Sequence, residues 1–361
     1  MQTRRPLTLE EVARQAGVSK TTASVVLNGR AEQVRISEAT RARVVAVADQ
    51  LGYVPDHAAR SLRRRQTGII NILLWRLGSP FFSEIAAGVG EVAGRRDYQV
   101  SVIDVHDLDA ELRAIRHLRQ GSADGVIVAV NRRRVIGPAE DSLLKLTARG
   151  LPVVVLLDHS PDPSIPSLRV DDLGGGYLAT KHLLDLGHHR VAHFTWDDVP
   201  LEGEVPDAGN ARFRGYRRAL DEAGVPFDPS WVTSCVRVAD GGRELTRRFL
   251  ASHPDPATRP TAVFATNDLI AFGAVRGFYE AGLRVPDDVA LVGFQGVELS
   301  TMTVPSLTTV ELRASDLGRL GAEILFSLLD GVPPAESERV LPVQLVVRES
   351  CGAKTSRPTV G

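Results

Sequence analysis

Residues 8–24 read TLEEVARQAGVSKTTAS, which is the pattern of two short helices joined at a glycine. Thr8 and Glu11 have the spacing of a capping box, in which each side chain accepts a hydrogen bond from the backbone of the other residue. Apolar residues recur at helical spacing as far as Gly17, which ends the first helix. Ser19 is a suitable N-cap for a second helix of similar length. The sequence therefore predicts a small helical unit at this end of the chain.

A third helix is predicted to begin at Ser37 and to end at Gly52. The residues predicted to point inward from the first two helices are Leu9, Val12, Ala13, Ala16, Ala23, Val26 and Leu27. Two helices joined by a glycine turn are typical of a helix-turn-helix, whose second helix enters the major groove of DNA. The start of that helix, residues 19–22, offers hydroxyls and one cation to phosphates and base edges. Any small three-helix bundle with a capped middle helix would have the same spacing, so both interpretations stay open.

The charge of the chain is unevenly distributed. The 361 residues have a net charge of −1, but residues 1–66 hold twelve Lys or Arg against six Asp or Glu. This segment is therefore at +6, which leaves −7 for the remainder. A basic end is expected of a segment that contacts nucleic acid, although a run of charge is more often a solvated surface.

Composition excludes several classes of protein. Apolar residues make up 43% and charged residues 24% of the chain, which is ordinary for a globular protein. The two cysteines, Cys235 and Cys351, have no metal-binding spacing, so neither a disulfide framework nor a cysteine zinc site is expected. Residues 1–6 are polar and basic rather than a secretory signal, and no run approaches the ~20 apolar residues of a membrane span. We expect a cytoplasmic protein.

From Gly68 onward, apolar runs of strand length alternate with amphipathic segments of helix length. The predicted strands are Ile69–Trp75, Gln99–Val105, Gly125–Val130, Val153–Leu157, Val191–Phe194, Trp231–Val236, Ala262–Ala265 and Val289–Gly293. The predicted helices include Phe81–Arg95, Leu108–Arg119, Gly174–Leu186, Ala211–Ala223, Gly242–Ser252 and Asp268–Ala281. Such alternation favours parallel sheets covered on both faces, and about eleven strands favour two α/β lobes. The segment Asp197–Asn210 is predicted to be a long polar loop.

Several stretches of the chain occur in the order of one known family. They are Thr8–Ser24, Leu51–Pro55, Ala58–Arg63, Ser79–Phe82, Gly187–Val191, Arg212–Tyr216, Thr266–Asp268, Val285–Val289, Pro305–Val310 and Leu345–Ser350. The chain resembles the lactose/galactose repressor family of bacterial transcriptional regulators over nearly its whole length.

This resemblance implies an all-α helix-turn-helix headpiece followed by two flavodoxin-like parallel-sheet α/β lobes, like those of periplasmic sugar-binding proteins. The implied segments are the headpiece at 1–55, a hinge helix and linker at 56–67, an N-terminal lobe at 68–168 and 312–342, a C-terminal lobe at 169–311 and 343–350, and a tail at 351–361. The chain is expected to cross between lobes near residues 168, 311 and 342. A ligand is expected in the cleft between the lobes, at the carboxyl ends of the strands.

The family's DNA contacts map onto positions of the headpiece and the hinge. These residues are Ser19, Lys20, Thr21, Thr22, Ser24, Val25, Asn28, Ala59 and Leu62. The resemblance implies that Lys20 and Thr21 contact bases, and that Leu62 is an apolar wedge in the minor groove. Leu62 could instead be a core residue of its helix. Val25 departs from the family, which often has an arginine there; valine can touch a thymine methyl but cannot donate a hydrogen bond. The operator sequence therefore stays open.

The resemblance also implies a set of residues that bind an effector. They are Ser79, Phe82, Asp158, Arg212, Arg237, Asn267 and Gln295. Arg212 has five donors that suit an oxygen-rich ligand, with a surface salt bridge as the alternative. Asn267 could face the cleft or only cap a helix, and Phe82 could stack on a ligand or belong to the core.

Two departures from the family bear on the nature of the effector. Gln295-Gly296 replaces a pair of aspartates that would hold sugar hydroxyls, and Arg237 replaces an aromatic residue. Both changes make the expected site more positive. The effector is therefore predicted to be a sugar or a sugar-derived metabolite, with an anionic one favoured.

Two other classes of protein are alternatives, an enzyme and a secreted sugar-binding protein. An enzyme could be imagined around His106, His159, His193, Asp171 and Asp172, but these residues have no recognised spacing, and the glycines at 174–176 do not form a phosphate-binding motif. A secreted sugar-binding protein would have a signal peptide in place of the helix-turn-helix. The favoured interpretation is a regulator without a cofactor that binds a palindromic operator as a homodimer. Its effector, its target genes and whether the effector induces or corepresses stay open.

Overall fold

The computed structural model describes residues 7–27, 36–53, 66–130, 138–197 and 207–353. It divides into two units, residues 1–67 and 68–361. Several predicted features lie outside the described residues. They are Asn28, Ala59 and Leu62, most of the hinge at 56–67, and residues 354–361 of the tail.

The described residues of the first unit form three helices, α1 (Leu9–Gln15), α2 (Lys20–Leu27) and α3 (Glu38–Leu51). The capping box that begins α1 is confirmed, since the Thr8 amide donates to Glu11 Oε2 at 2.8 Å and the Glu11 amide donates to Thr8 Oγ1 at 3.4 Å. Ser19 caps α2 and Ser37 caps α3 in the same manner. Gly17 has φ +63°, a conformation that favours glycine, so the turn between α1 and α2 depends on it.

The core of this unit is small and, for the first two helices, comes from the predicted inward faces. The buried residues are Val12, Ala13, Ala16, Ala23, Val26, Val44 and Ala48. Leu9 and Leu27 are half-buried against them. Arg43 Nε of α3 donates to the carbonyl of Ala16 at 2.9 Å, which ties the end of α1 to α3. A cation at a helix C-terminus also interacts favourably with the helix dipole.

The described residues of the second unit form two six-stranded sheets. The strands of the first sheet are β1 (Ile69–Trp75), β2 (Gln99–Val105), β3 (Gly125–Ala129), β4 (Val153–Leu156), β5 (Ser167–Val170) and β11 (Glu338–Leu341). Those of the second are β6 (Val191–Trp196), β7 (Val232–Cys235), β8 (Ala262–Ala265), β9 (Ala290–Gln295), β10 (Thr308–Glu311) and β12 (Gln344–Val346). The helices are α4 (Pro80–Arg95), α5 (Leu108–Leu118), α6 (Pro138–Thr147), α7 (Asp172–Asp185), α8 (Ala208–Glu222), α9 (Ala239–Ser252), α10 (Asp268–Glu280) and α11 (Ala314–Leu329).

Helices cover both faces of each sheet, which makes two three-layer lobes. The strand order is β11-β5-β4-β3-β1-β2 in the first lobe and β12-β10-β9-β8-β6-β7 in the second. In the first lobe, α4 and α11 pack on one face and α5 and α6 on the other. In the second lobe, α7 and α8 cover one face and α9 and α10 the other. Side chains that alternate along β1, such as Ile72 and Leu73, therefore enter different cores.

The chain passes between the lobes after Val170, between Glu311 and Ala314, and between Leu341 and Gln344. The sheets match the predicted fold class, with one correction: β12 pairs antiparallel with β10. Such an edge strand is common on an otherwise parallel sheet. β11 runs parallel to the other strands of the first sheet and ends at the edge that faces the second lobe, so β12, which starts two residues later, runs away from that edge and opposite to β10. The predicted loop at 197–210 is also shorter than expected, because α8 begins at Ala208.

Three helix pairs pack at close range through glycines, one from each helix. The pairs are Gly88 and Gly318 between α4 and α11, Gly176 and Gly215 between α7 and α8, and Gly242 and Gly273 between α9 and α10. A Cβ atom at any of these positions would lie 1.9–2.3 Å from a backbone oxygen of the partner helix. Backbone atoms cannot move aside as a flexible side chain can, so these contacts set the spacing of the helix pairs.

Gly88→Ala should destabilise the second unit by about 1–3 kcal/mol, because the new Cβ would lie 2.1 Å from the Ser315 carbonyl oxygen. Gly94→Ala in the same helix is the matched control. Gly94 is exposed and has open space around it, so alanine there should raise the free energy of unfolding by up to about 1 kcal/mol.

Urea unfolding followed by tryptophan fluorescence measures both effects, since all three tryptophans lie in the second unit. Equal stability of the two variants would contradict the close approach of α4 and α11.

Candidate functional site

The first candidate surface is the start of α2 in the first unit. Ser19, Lys20 and Thr21 are exposed, whereas Ala23 and Val26 are buried in the three-helix core. Thr22, Ser24 and Val25 are half-buried. The predicted base-contacting side chains, Lys20 and Thr21, therefore point away from the core, as an interface with DNA requires.

Polar side chains at the start of α2 already have partners within the headpiece. Ser19 Oγ accepts the Thr22 amide at 3.0 Å and lies 2.8 Å from Thr22 Oγ1. Lys20 Nζ lies 3.6 Å from Glu10 Oε2, and both of these side chains are well exposed. An exposed pair of this kind contributes roughly 0–1 kcal/mol, so it does not prevent Lys20 from contacting DNA.

The second candidate site is a cleft between the two lobes of the second unit. It is lined by Trp75, Arg76, Ser79, Phe81, Phe82, Leu157, Asp172, Trp196, Ala208, Arg212, Arg237, Asn267, Leu269 and Gln295. The cleft includes about 570 Å³ of space, and this volume includes its open mouth. Its walls come from the carboxyl ends of strands of both sheets, where ligands bind in open α/β folds.

Four helices begin at this cleft. Ser79 is the N-cap of α4 and Asn267 is the N-cap of α10, while Asp172 and Ala208 are the first residues of α7 and α8. Asn267 Oδ1 accepts the Ile270 amide at 2.8 Å, whereas the Ser79 side chain does not cap its helix. The N-terminus of a helix carries a partial positive charge, so the arrangement favours negative charge in the cleft.

Arg212 is the most constrained polar side chain of the cleft. Its Nε and Nη2 contact Asp172 Oδ1 at 2.8 and 2.7 Å, and its Nη1 donates to the Thr266 carbonyl at 2.7 Å. The guanidinium also lies over Phe294, 3.8 Å from the ring centre. The arginine and aspartate side chains are 5% and 13% exposed, so this is a buried ion pair and not the surface salt bridge that was the alternative. Burial raises the pKa of Asp172, and Arg212 opposes that rise.

Two guanidinium groups lie over the indole ring of Trp196, which is the last residue of β6. Arg237 lies 3.9 Å from its ring centre and Arg212 lies 5.4 Å from it. The indole ring is almost fully buried, whereas Arg237 is half-buried. Stacking on an aromatic face fixes the plane of a guanidinium and leaves its edge for hydrogen bonds.

Backbone strain is concentrated at the cleft. Among the described residues, five non-glycine residues have positive φ, and three of them line the cleft: Arg76 at +58°, Leu157 at +69° and Gln295 at +118°. Each ends or directly follows a strand of a sheet. Such conformations cost about 1–3 kcal/mol and persist where the surroundings impose them, which is common at ligand sites.

A buried carboxylate supports the wall beside Asn267. Asp268 Oδ2 accepts the amides of Gly296 and Val297 at 2.8 and 3.0 Å and the Ser300 hydroxyl at 3.0 Å. Its Oδ1 accepts the Thr309 hydroxyl at 2.6 Å. The carboxylate thereby holds the turn that follows Gln295. Burial raises the pKa of Asp268 to about 6, against the hydrogen bonds that favour the ionised form.

The structure brings six of the seven predicted effector residues to the cleft. They are Ser79, Phe82, Arg212, Arg237, Asn267 and Gln295. Asp158 is not among the lining residues, because the left-handed backbone of Leu157 places Leu157 in the wall instead. Asn267 both caps α10 and lines the cleft, and Phe82 is buried yet lines it.

Sequence reasoning missed several lining residues, chiefly Trp75, Arg76, Asp172 and Trp196. The available signal was their position in the chain. Trp75 and Trp196 are the last residues of β1 and β6, and Arg76 directly follows β1. The sequence indicates Asp172 only as a member of a possible catalytic group.

The histidines of the possible catalytic cluster have different neighbours in the structure. His106 Nε2 lies 3.4 Å from Asp104, and His159 contacts Arg169 and Glu338. His193 stacks on Tyr216 inside the second lobe, where burial lowers its pKa to about 3. Within the described ranges, no three His, Cys, Asp or Glu side chains are grouped closely enough to hold a metal ion.

Comparisons with known proteins identify the family of the chain. Residues 8–56 match the model of bacterial regulatory proteins of the lacI family, and residues 180–351 match the periplasmic binding protein-like domain. The chain is 31% identical to the HTH-type transcriptional regulator DegA of Bacillus subtilis (strain 168), over 95% of this chain and 97% of that protein. The chain belongs to the lacI family. It is therefore a DNA-binding transcriptional regulator.

Two solved structures of lacI-family regulators resemble the whole chain. The lac repressor dimer bound to operator and the anti-inducer ONPF has a TM-score of 0.78 at 26% identity, over 96% of this chain and 99% of that one. The complex of the transcriptional regulator CelR with cellobiose has a TM-score of 0.68 at 31% identity, over 96% and 100%. In the part of this chain that the structure describes, no helix has the length and apolar character of a membrane span.

The buried carboxylate gives a test of the cleft wall. Asp268→Asn should retain most of the stability, because its oxygen can accept the three donors on Oδ2 while its amide donates to the Thr309 hydroxyl. Asp268→Ala leaves all four donors without an acceptor, and the free energy of unfolding should fall by at least about 2 kcal/mol.

The stability of this wall should also depend on pH. The folded-state pKa of Asp268, about 6, exceeds the ordinary 3.8, so the folded state binds the proton more tightly. The carboxyl therefore contributes most stability below its unfolded pKa and loses that contribution as pH rises through about 6. Urea unfolding between about pH 5 and pH 7.5 should show the wild type losing stability relative to Asp268→Asn as pH rises. A constant difference would contradict the raised pKa.

Proposed function

We propose that this lacI-family chain is a repressor whose affinity for operator DNA is controlled by a small molecule bound between its two α/β lobes. The single observation that supports this most directly is the combination, in one chain, of an exposed α2 N-terminus on a helix-turn-helix and an arginine-lined cleft. Neither surface supports catalysis better than binding, and we propose that the protein is not an enzyme and works in the cytoplasm.

The operator is proposed to be palindromic and to be bound by a homodimer. One helix-turn-helix contacts a half-site, and two-fold symmetry of the protein requires two such half-sites. Lys20 and Thr21 are assigned to bases, and Ser19, Thr22, Ser24 and Asn28 to phosphates. Val25 is assigned to apolar contact with a base edge, and Ala59 and Leu62 to the hinge helix in the minor groove. The solved lac repressor structure is a dimer on its operator, which supports the same assembly here.

The effector is proposed to be a sugar or a sugar-derived metabolite, with an anionic one favoured. CelR is solved with cellobiose, and a regulator of the family from Enterococcus faecium with ribose, so the class of sugars has precedent among its structural neighbours. In this chain the cleft adds positive charge from arginines and from four helix N-termini. Binding acts on DNA only through a different affinity for two arrangements of the protein.

Lys20→Ala should weaken binding to the operator by ~1–3 kcal/mol, because a base contact contributes about that much discrimination. The loss should be smaller on DNA of scrambled sequence. The measurement is a mobility-shift titration with a site first selected from genomic fragments.

Lys181→Ala is the matched control, since Lys181 is an exposed lysine paired with Asp185 in the second unit. It should leave operator affinity unchanged. If Lys20→Ala weakened binding to every DNA sequence equally, Lys20 would be a phosphate contact. Failure of the wild type to select any genomic fragment would contradict the proposed function.

The full chain should sediment as a dimer at micromolar concentration in the absence of DNA. Two copies are needed to contact both half-sites of a palindrome. Sedimentation velocity at several concentrations is the measurement, and a stable monomer throughout the micromolar range would contradict the proposed assembly.

A further inference from the structure

A hydrogen bond joins the two lobes away from the places where the chain crosses between them. The amide of Glu298, in the second lobe, donates to Glu84 Oε1 in the first lobe at 3.2 Å. Glu84 lies in the second turn of α4 and is half-buried. Because the two residues belong to different lobes, a change in the angle between the lobes changes the distance between donor and acceptor.

Three carboxylates meet at this contact. Glu298 contributes its own side chain, and Glu311 is the last residue of β10. The charges of both act on Glu84. The Glu311 carboxylate accepts a hydrogen bond from Gln344 Nε2 at 2.6 Å, and this neutral partner leaves its charge in place. Like charges in a partly desolvated place repel, so each carboxylate makes ionisation of its neighbours less favourable.

The charged residues of the helices around Glu84 are engaged further along those helices. The charges that act on Glu84 are those of Glu298 and Glu311, and both are negative. In α4 and the neighbouring helix α11, five charged residues form ion pairs with one another, and Glu323 is exposed about two turns beyond them. The five are Glu91, Arg95, Arg313, Asp316 and Arg319.

Burial makes the ionised form of Glu84 less favourable still. Desolvation is the main cause of the raised pKa of Glu84, against the hydrogen bond from the Glu298 amide, and the Glu298 and Glu311 carboxylates add to the rise. A protonated Glu84 is no longer repelled by these carboxylates and keeps an oxygen that can accept the same amide. If the lobes turn so that Glu84 becomes exposed, both causes of the rise disappear. The two arrangements therefore bind the proton with different affinity.

We infer that Glu84 is a pH-sensitive contact between the lobes: its protonation favours the arrangement in which Glu84 meets Glu298 and Glu311, its ionisation favours their separation, and operator affinity changes accordingly. The sign follows from linkage, because the arrangement that binds the proton more tightly gains population as pH falls. The gain is complete below the ordinary glutamate pKa of 4.5 and is lost as pH rises through the raised value. The effect on DNA rests on the proposed function, whereas the effect on the lobes does not.

The first experiment follows the lobes directly and needs neither DNA nor an effector. The full chain with Trp231→Phe keeps one tryptophan of each lobe, Trp75 and Trp196, and both line the cleft. Their fluorescence should titrate between about pH 5 and pH 7.5. In the same background, Glu84→Gln should remove the Glu84 titration and keep the low-pH signal throughout, because glutamine keeps the acceptor without the charge.

Further variants assign the titration to this contact. Glu298→Gln should move it to lower pH, because a repelling carboxylate is lost while the backbone donor remains. Asp268→Asn should leave it in place, although Asp268 has a pKa of about 6 and titrates in the same range. Glu323→Gln, at an exposed glutamate of the same lobe, is the matched control and should titrate as the wild type does. A titration that Glu84→Gln leaves unchanged, or that Glu298→Gln does not move, would overturn the inference.

The second experiment measures operator affinity over the same pH range by mobility shift, on the site selected from genomic fragments. The ratio of the affinities of Glu84→Gln and the wild type should approach one at the acid end and depart from one by at least about threefold at the alkaline end. Other titrating groups affect both proteins alike and cancel in this ratio. A constant ratio would overturn the effect on DNA. Failure of the wild type to bind any fragment would instead contradict the proposed function, which the fluorescence titration does not require.

Discussion

The contact between Arg212 and Asp172 depends on how closely α7 and α8 approach each other. A Cβ on Gly176 would lie 2.2 Å from the carbonyl oxygen of Arg212, and one on Gly215 would lie 2.2 Å from that of Leu173. Only with glycine at both positions do the two helices begin near enough for the guanidinium to reach the carboxylate. The ion pair thus connects the N-terminal parts of α7 and α8. The hydrogen bond from Arg212 to the Thr266 carbonyl connects both helices to the end of β8. One wall of the cleft is built from this junction.

The same junction explains why the cleft can be both rigid and charged. A buried arginine is costly unless its charge is paired and its donors are satisfied. Asp172, Thr266 and Phe294 meet these needs for Arg212, so this arginine is compensated before any ligand binds. Arg237 is instead only half-buried and is held by stacking on Trp196. The two arginines therefore differ in burial although both line the cleft.

The sequence was sufficient for features that depend on local spacing. The caps at Thr8, Ser19 and Ser37 are as predicted, and β1, β2 and β8 have the predicted bounds. Strands that mix polar and apolar residues were not predicted, because the prediction relied on uninterrupted apolar runs. They are β5, β10, β11 and β12.

The buried threonines of β10 show why the pattern failed there. Thr308 and Thr309 are fully buried although they are polar, because Thr308 Oγ1 accepts the amide of Arg348 and Thr309 Oγ1 donates to Asp268. Asp172 was missed for a related reason: its partner lies forty residues away, and only the packing of two helices brings them together. Polarity along the chain therefore predicts exposure poorly where a distant residue supplies the hydrogen bond.

Asp268 shows how the cleft is connected to the contact between the lobes. It follows Asn267, which lines the cleft, and it holds the turn at residues 296–300. Within that turn the Glu298 amide donates to Glu84 Oε1 on α4 of the other lobe at 3.2 Å. Burial raises the pKa of Glu84, and the nearby Glu298 and Glu311 carboxylates add to that rise.

The hydrogen bond from the Glu298 amide opposes that rise, because it favours the ionised carboxylate of Glu84. Any movement of Asn267 on ligand binding acts on its neighbour Asp268 and hence on this turn. A ligand in the cleft can therefore act on the angle between the lobes through a short series of covalent bonds and hydrogen bonds. In the proposed function, that angle is the quantity through which a bound effector favours one arrangement of the protein over the other.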